Sequence, residues 1–435
     1  MTGRPKAIVG GRLLDPAGGL DGPGGVLMAG VTIQAIGPSV TREQISEAYE
    51  IIDAAGCCVA PGLVDMRVHF GEPGAEHKET FDSGSAAALA GGVTSVALLP
   101  DTEPVVDDPA MVEYVARRAR RAQGVKVYPY GGLTRGLAGE QLAEIGLLLQ
   151  AGAVAFTDGS TAVANSRVLA RALAYTAQFD ALVVQRPEDP TLAPDGLMNE
   201  GPVANKLGLA GRPAVAEVIM VERDLRLLAM TGGRYHIAQI STRAAVDAVR
   251  KARDQGLDVT CDVSPHHLLL NELDVEGYRT FAKVMPPLRA EDDRQAMVEA
   301  LADGTIDVVA SDHRPQDQDS KRLPFAQAEP GVVGVETMLP ACLKLYHEGR
   351  IDLLTLLRRL TVAPAELLGL DAGKLKPGAP ADLVVFDLER GWKLADQDLS
   401  SLAKNTAFEG RLFEGQVLRT LVDGRDVFQR RELVR

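Results

Sequence analysis

Apolar residues fall into two textures along this chain. Over residues 1–58 they come in short bursts broken by Gly and turn residues, as in "AIVGGRLLD", "GVLMAGVTIQAIG" and "YEIIDAAGCCVAPG". Bursts of that length between turn signals predict short β-strands. The same texture returns near the C-terminus in "ADLVVFDL" and "GQVLRTLVDGRDVF". Between these ends, apolar runs such as "VTSVALLP", "VKVYPYGGL", "AVAFTDG", "ALVVQRPED", "RYHIAQIS", "DVTCDVSPHH" and "IDVVASDHRP" alternate with helical patterns such as "AMVEYVARRARRAQG", "GEQLAEIGLLLQAG" and "TRAAVDAVRKARDQG". That alternation predicts a parallel α/β architecture. About eight such units over roughly three hundred residues fit a TIM (β/α)8 barrel. The predicted organisation is a barrel over residues 59–369, with residues 1–58 and 370–435 pairing into a small composite β-sandwich domain beside it. No internal repeat or low-complexity segment interrupts the pattern.

In a barrel of this kind the C-terminal ends of the strands carry the functional pocket. Here those ends bear His69, Asp101, Asp158, Arg186, Gln239, His266 and the Asp312–His313 pair. Composition narrows what such a pocket serves. The chain has 435 residues, a net charge of −13, 46% hydrophobic and 24% charged residues. That charge argues against nucleic acid or an anionic membrane as partner. No apolar run is long enough to span a bilayer, and the first residues lack the apolar segment of a signal peptide. A cytoplasmic location is expected. The four cysteines show no CxxC spacing, so reduced, buried thiols are expected.

Longer blocks carry a family resemblance. "APGLVDMRVHFGEPGAEHKETFDSGSAAALAGGVTSVALLPDTEP", "MNEGPVANKLGLAGRPAVAE", "VSPHHLLL", "KVMPPLRAEDDRQAMVEALADGTIDVVASDHRP", "LPFAQAEPGVVGVETMLP" and "LKPGAPADLVVFD" resemble, in order and spacing, bacterial dihydroorotases of the amidohydrolase superfamily. The resemblance implies a dinuclear metal site, usually zinc, that activates water to open a cyclic amide. Its ligand positions fall on Arg67, His69, Asp158, Arg186, Gln239 and Asp312.

The chemistry at those positions departs from the family. Residues 67 and 69 share a strand face, because side chains alternate with period two. Two imidazoles there would hold a metal. A guanidinium has no acceptor lone pair and stays protonated, so Arg67 removes a ligand and installs a cation. Arg186 does the same where the family carries His. Gln239 replaces the second His of "HxxHxS" with an amide oxygen, a poor zinc ligand beside imidazole. His69, Asp158 and Asp312 remain and in principle suit a single metal. Two arginines aimed at the same cavity oppose that, and they match the need of buried carboxylates for partners. The expectation is a metal-free internal network in which Arg67 and Arg186 make bidentate pairs with Asp158 and Asp312, and no cofactor.

Positions that grip substrate in the family also differ: Gly71 stands for Arg, Asp101 and Met285 for Asn, and "DHRPQ" for "DHAPH", which brings in Arg314 and Gln316. His69 is expected to be a buried histidine satisfied by a carboxylate, His266 and His267 to serve packing, and His313 to be hydrogen-bonded at a strand end. The resemblance extends to dihydroorotase-like polypeptides that have lost their ligands. These serve as non-catalytic structural or regulatory partners of aspartate carbamoyltransferase chains in pyrimidine biosynthesis. A pseudoenzyme of that kind, homodimeric within a hetero-oligomer, is the expected function. The competing expectation is an active cyclic-amide hydrolase of dihydroorotase, hydantoinase or allantoinase type, with zinc in an altered site. An anion sensor built on Arg67, Arg186 and Arg314 is a third. The polar loop 314–331 is expected to be mobile or to contact another subunit.

Overall fold

A computed structural model describes residues 4–122, 124–192 and 194–430; the outermost residues assigned to the terminal domain, 1–3 and 431–435, lie outside the described residues. The two ends of the chain meet in one eight-stranded sheet. Its first strand, Lys6–Asp15, pairs antiparallel with Leu20–Ala29 and parallel with both Glu50–Asp53 and Cys58–Pro61. The two parallel partners follow one another along it, on either side of an irregularity between Ile8 and Gly11, where Gly10 takes φ 74°. A side chain at Gly11 would place its Cβ 2.8 Å from Val59 Cγ2. The C-terminal strand Leu383–Lys393 then joins Cys58–Pro61 antiparallel, with Val385 opposite Val59. Ile8, Leu13, Val26, Ile33, Val59 and Val385 contribute to a core that is separate from the barrel's. The terminal sheet therefore runs through Pro61, and the barrel begins at Leu63.

Seven barrel strands are Leu63–Val68, Val93–Leu98, Lys126–Pro129, Leu182–Gln185, Arg234–Ile237, Val259–Val263 and Val308–Val309. The segment around Phe156 supplies the eighth position through parallel bridges to Gly131 and Val183, and Val68 bridges His313 to close the ring. The interior is packed: Met66, Ala97, Tyr130, Val184, Ala238 and Val308 form one buried cluster, and the Tyr130 hydroxyl donates to the Met66 carbonyl at 2.9 Å. Strands buried on both faces read as continuous apolar runs, which is why the sequence shows little alternation there.

Helices on the outside follow local signals. Thr80 and Ser83 form a capping box at the start of Phe81–Ala90, and Thr242 caps Arg243–Asp254. The pattern "GEQLAEIGLLLQAG" predicts a longer helix than the observed Ile145–Ala151. Its first part is used otherwise: Leu142 bridges Thr134, and Gly139 N–H donates to the Thr134 hydroxyl at 2.9 Å. No helix among the described residues is long and apolar enough to cross a membrane. Cys58, Cys261 and Cys342 are buried and Cys57 is half-buried; all four are free.

Candidate functional site

The pairing of Leu63–Val68 with Val93–Leu98 slips between Asp65 and Val68. Irregularities of this kind re-aim side chains near functional sites. Met66 packs inside the barrel, and its neighbour Arg67 reaches across the mouth. Arg67 is 2% exposed; its Nε donates to Asp312 Oδ1 at 3.3 Å and its Nη2 to the Gly159 carbonyl at 3.5 Å. Asp312 sits just past the two-residue strand Val308–Val309 with φ 51°. Gln239, also at a strand end, has φ 60°. Left-handed backbone at a non-glycine residue costs of order 1–3 kcal/mol and collects at functional sites.

His69 and Asp101 form the adjoining wall. His69 Nε2 donates to the Asp101 carbonyl at 3.0 Å, and burial pushes the imidazole pKa down against the pull of Asp101. The Asp101 carboxylate accepts from Ser160 Oγ at 2.8 Å and lies 3.3 Å from Arg314 Nη1. Burial alone would push this carboxyl up; the His69 ring, the Arg314 guanidinium and the Ser160 hydroxyl outweigh it and hold it below the usual carboxylate range. His69, Lys78, Asp101, Arg314, Gln316 and Glu329 are among the residues lining a cleft of about 280 Å³.

The other expected partners are different ones. Among the described residues no arginine pairs with Asp158. Its Oδ1 accepts from the Thr134 N–H at 2.9 Å and its Oδ2 from the Thr134 hydroxyl. The Thr134–Leu142 bridge delivers both neutral donors from one residue, which satisfies the carboxylate without ordering a long side chain. Arg186 Nη2 instead meets Glu188 Oε2 at 3.3 Å, and Glu188 Oε1 accepts from Arg212 Nη1 at 2.7 Å. Glu188 is two residues along the same loop and so lies within reach. The bidentate network of two arginines and two aspartates is thus replaced by one Arg67–Asp312 contact and a separate Arg186–Glu188–Arg212 chain. The Gln239 N–H donates to Asp262 Oδ1 at 2.8 Å, whereas its side-chain amide has no partner among the described residues. His236 lies beneath, held by Thr260 and Asp262.

These contacts decide whether the residues suit a dinuclear zinc site. A ligand needs a free lone pair. Arg67 and Arg186 have none to give, Gln239 offers only an amide oxygen, and His69 Nε2 donates to a carbonyl while Asp312 faces a guanidinium. Among the described residues no three His, Cys, Asp or Glu side chains come together to hold a metal ion. The residues present do not fit that group.

The substrate positions differ in geometry as well as in type. Gly71 has φ 76°, and an added Cβ would stand 2.7 Å from the Ala75 carbonyl oxygen. An arginine cannot take this position without moving the backbone. Gly71→Ala is expected to cost roughly 1–3 kcal/mol, the range for left-handed strain, measured as a lower urea midpoint. An unchanged midpoint would mean that the loop relaxes freely. Met285 is half-buried and does not line the cleft.

Other residues fall in packing roles. His266 is fully buried and stacks on Phe408 with ring centroids 5.1 Å apart. His267 pairs with Ser264 Oγ at 2.8 Å and the Pro286 carbonyl at 3.1 Å. His313 Nδ1 accepts from Gly334 N–H at 3.2 Å. Loop 314–331 is tied down rather than open. Lys283 Nζ donates to the Phe325 and Ala328 carbonyls at 2.7 and 2.6 Å, and Lys321 Nζ to the Glu329 carbonyl at 2.6 Å. Burial and the charge of Lys283 push the Lys321 pKa down to about 7. Sequence reasoning missed Thr134, Glu188, Arg212 and these two lysines. Only Glu188, beside Arg186 in "RPEDP", left a local signal.

Comparison with known proteins places these contacts in a family. Residues 56–245 match the family model described as dihydro-orotase-like, and residues 216–427 match that of the amidohydrolase family. Relatives include a dihydroorotase of Syntrophotalea carbinolica, 45% identical over 97% of this chain and 98% of its own length. A dihydroorotase of Anaplasma phagocytophilum is 43% identical over 97% and 95%. Among solved structures, the L-hydantoinase (dihydropyrimidinase) of Arthrobacter aurescens superposes with a TM-score of 0.86 at 25% identity, covering 97% of this chain and 96% of that one.

Proposed function

We propose, from the premise that this chain belongs to the dihydroorotase-like family of the amidohydrolases, that it is a non-hydrolytic member acting as a structural or regulatory subunit of an aspartate carbamoyltransferase complex. The observation that carries the loss of hydrolysis is Arg67. Its guanidinium faces Asp312 at 3.3 Å, where the family's chemistry needs imidazole and metal. Without a metal, no group at this mouth generates hydroxide near neutral pH. His69, the one retained imidazole of the pair, uses its Nε2 in a hydrogen bond. A barrel kept intact without this chemistry supports a role carried by its surface. The assignment of the transferase as partner rests on family analogy.

The competing reading, an active cyclic-amide hydrolase, draws on the name carried by the relatives at 41–45% identity. The two separate cleanly by experiment. The purified chain is expected to show no dihydroorotate hydrolysis above background with or without added zinc, and to co-purify with the aspartate carbamoyltransferase chains of the same organism. Turnover that rises with zinc would overturn the first part. Failure of the two folded proteins to associate at micromolar concentration would overturn the second.

A further inference from the structure

The barrel mouth holds donors that none of the described residues uses. Arg67 Nη1 and Arg186 Nε are buried with no hydrogen-bond partner among the described residues, and so are both atoms of the Gln239 amide. Buried guanidinium N–H groups without acceptors are costly, and native proteins rarely leave them so. The contacts already described explain why these are spare. Asp312 Oδ1 takes the Nε of Arg67, Glu188 takes the Nη2 of Arg186 and is shared with Arg212, and each Asp158 oxygen accepts from Thr134. Among the described residues no hydrogen bond brings a carboxylate of the old ligand set to the orphaned edges.

The two guanidiniums are electrostatic neighbours. Burial pushes the Arg186 pKa down to about 10; the charges of Arg67 and Arg314 add to that, and Glu188 and Asp312 oppose it. Arg67 stands on the strand Leu63–Val68, Arg186 directly follows Leu182–Gln185, and Gln239 lies two residues past Arg234–Ile237. All three therefore sit at the C-terminal mouth of the barrel, the end that also carries the cleft beside His69 and Arg314.

We propose that this mouth is a binding site for a small oxyanion, a carboxylate or a phosphate, held by Arg67 Nη1 and Arg186 Nε with the Gln239 amide as a further donor. An oxyanion supplies several acceptor lone pairs in one compact group and matches the forked geometry of guanidinium. It relieves the repulsion between the two arginines, whereas a divalent cation would add to it. The inference rests on the reading that these residues do not fit a metal and is independent of the assembly role.

The test is calorimetric titration of the full-length chain with inorganic phosphate and, separately, with malonate, at low ionic strength. Metal content is measured on the same sample by elemental analysis. At least one anion is expected to bind saturably, and Arg67→Gln and Arg186→Gln are each expected to weaken it about tenfold or more. Preference for phosphate or for malonate identifies which chemistry the site takes. Because Arg67→Gln threatens folding, Arg186→Lys provides a second variant that keeps the charge but loses the Nε donor; it is expected to weaken binding as well. No saturable binding of either anion, or binding unchanged in the Arg186 variants, overturns the proposal. Stoichiometric metal in the same sample also overturns it, and marks the metal-free reading as the part that failed.

Discussion

Replacing Arg67 with alanine is expected to lower the unfolding free energy by roughly 3–5 kcal/mol, the range for removing one partner of a buried ion pair. The loss has a specific origin. Arg67 is 2% exposed and Asp312 is 7% exposed, so the carboxylate left behind has little water to replace the guanidinium. Arg67 gives the one side-chain hydrogen bond to Asp312 among the described residues, and the neighbouring His313 is turned to Gly334. The Gly159 carbonyl loses its contact as well. Urea denaturation of the wild type and Arg67→Ala at neutral pH measures the difference. The double variant Arg67→Met with Asp312→Asn is expected to recover most of it, because the stranded charge is gone. Recovery failing while Arg67→Ala remains costly would place the loss in packing of the side-chain stem rather than in charge. A loss below about 1 kcal/mol, the value of an exposed pair, would show that water reaches Asp312.

The second large effect is acid sensitivity from the buried histidine pair. Burial pushes the His266 and His267 pKa values down to about 4 from an ordinary 6.5, and the charges of His266 and Arg289 add to the shift of His267. In the unfolded chain both rings gain a proton as pH falls below about 6.5, while in the folded protein they stay neutral until about 4. Between those values the unfolded state binds more protons. The contribution is therefore fully present above pH 6.5 and is lost as pH falls towards 4. At about 1.4 kcal/mol per unit, each ring costs about 3 kcal/mol across the window. Asp65 runs the other way. Its buried carboxyl is pushed up to about 6, so its penalty is relieved as pH falls and returns about 3 kcal/mol. From these three groups together the expected loss between pH 6.5 and 4 is on the order of 3–4 kcal/mol. His266→Phe isolates one ring. His266 makes no hydrogen bond among the described residues and stacks on Phe408, so a phenyl keeps the stack. That variant is expected to flatten the acid limb by about 3 kcal/mol with little change at pH 7. An acid limb of unchanged slope would remove His266 from the account.

Both effects come from groups visible in the sequence whose surroundings were not. Arg67 stood out as a cation at a ligand position from residue type alone, because guanidinium chemistry does not depend on context. Its partner did depend on context. Asp158 and Asp312 looked equivalent along the chain, yet Asp158 turned to Thr134 because a bridge to Leu142 brings a hydroxyl and an N–H to the same point. Arg186 turned to Glu188, which the loop places nearer than either aspartate. The loop 314–331 looked free because it is polar. Lys321 within it and Lys283, 42 residues before Phe325, hold its carbonyls, and no local pattern announces the Lys283 contact across that separation.

The sequence by itself determined the barrel, the meeting of both ends in one sheet, the family, and which ligand positions had lost their chemistry. Strand–helix periodicity and motif order are local properties, and side-chain type alone says whether an atom has a lone pair to give. Only the tertiary structure decided how the remaining charges are satisfied: which carboxylate meets Arg67, why Gly71 cannot become an arginine, and which guanidinium edges stay open. Those outcomes depend on distances between strand ends far apart in the chain, where a shift of about 1 Å separates a hydrogen bond from none.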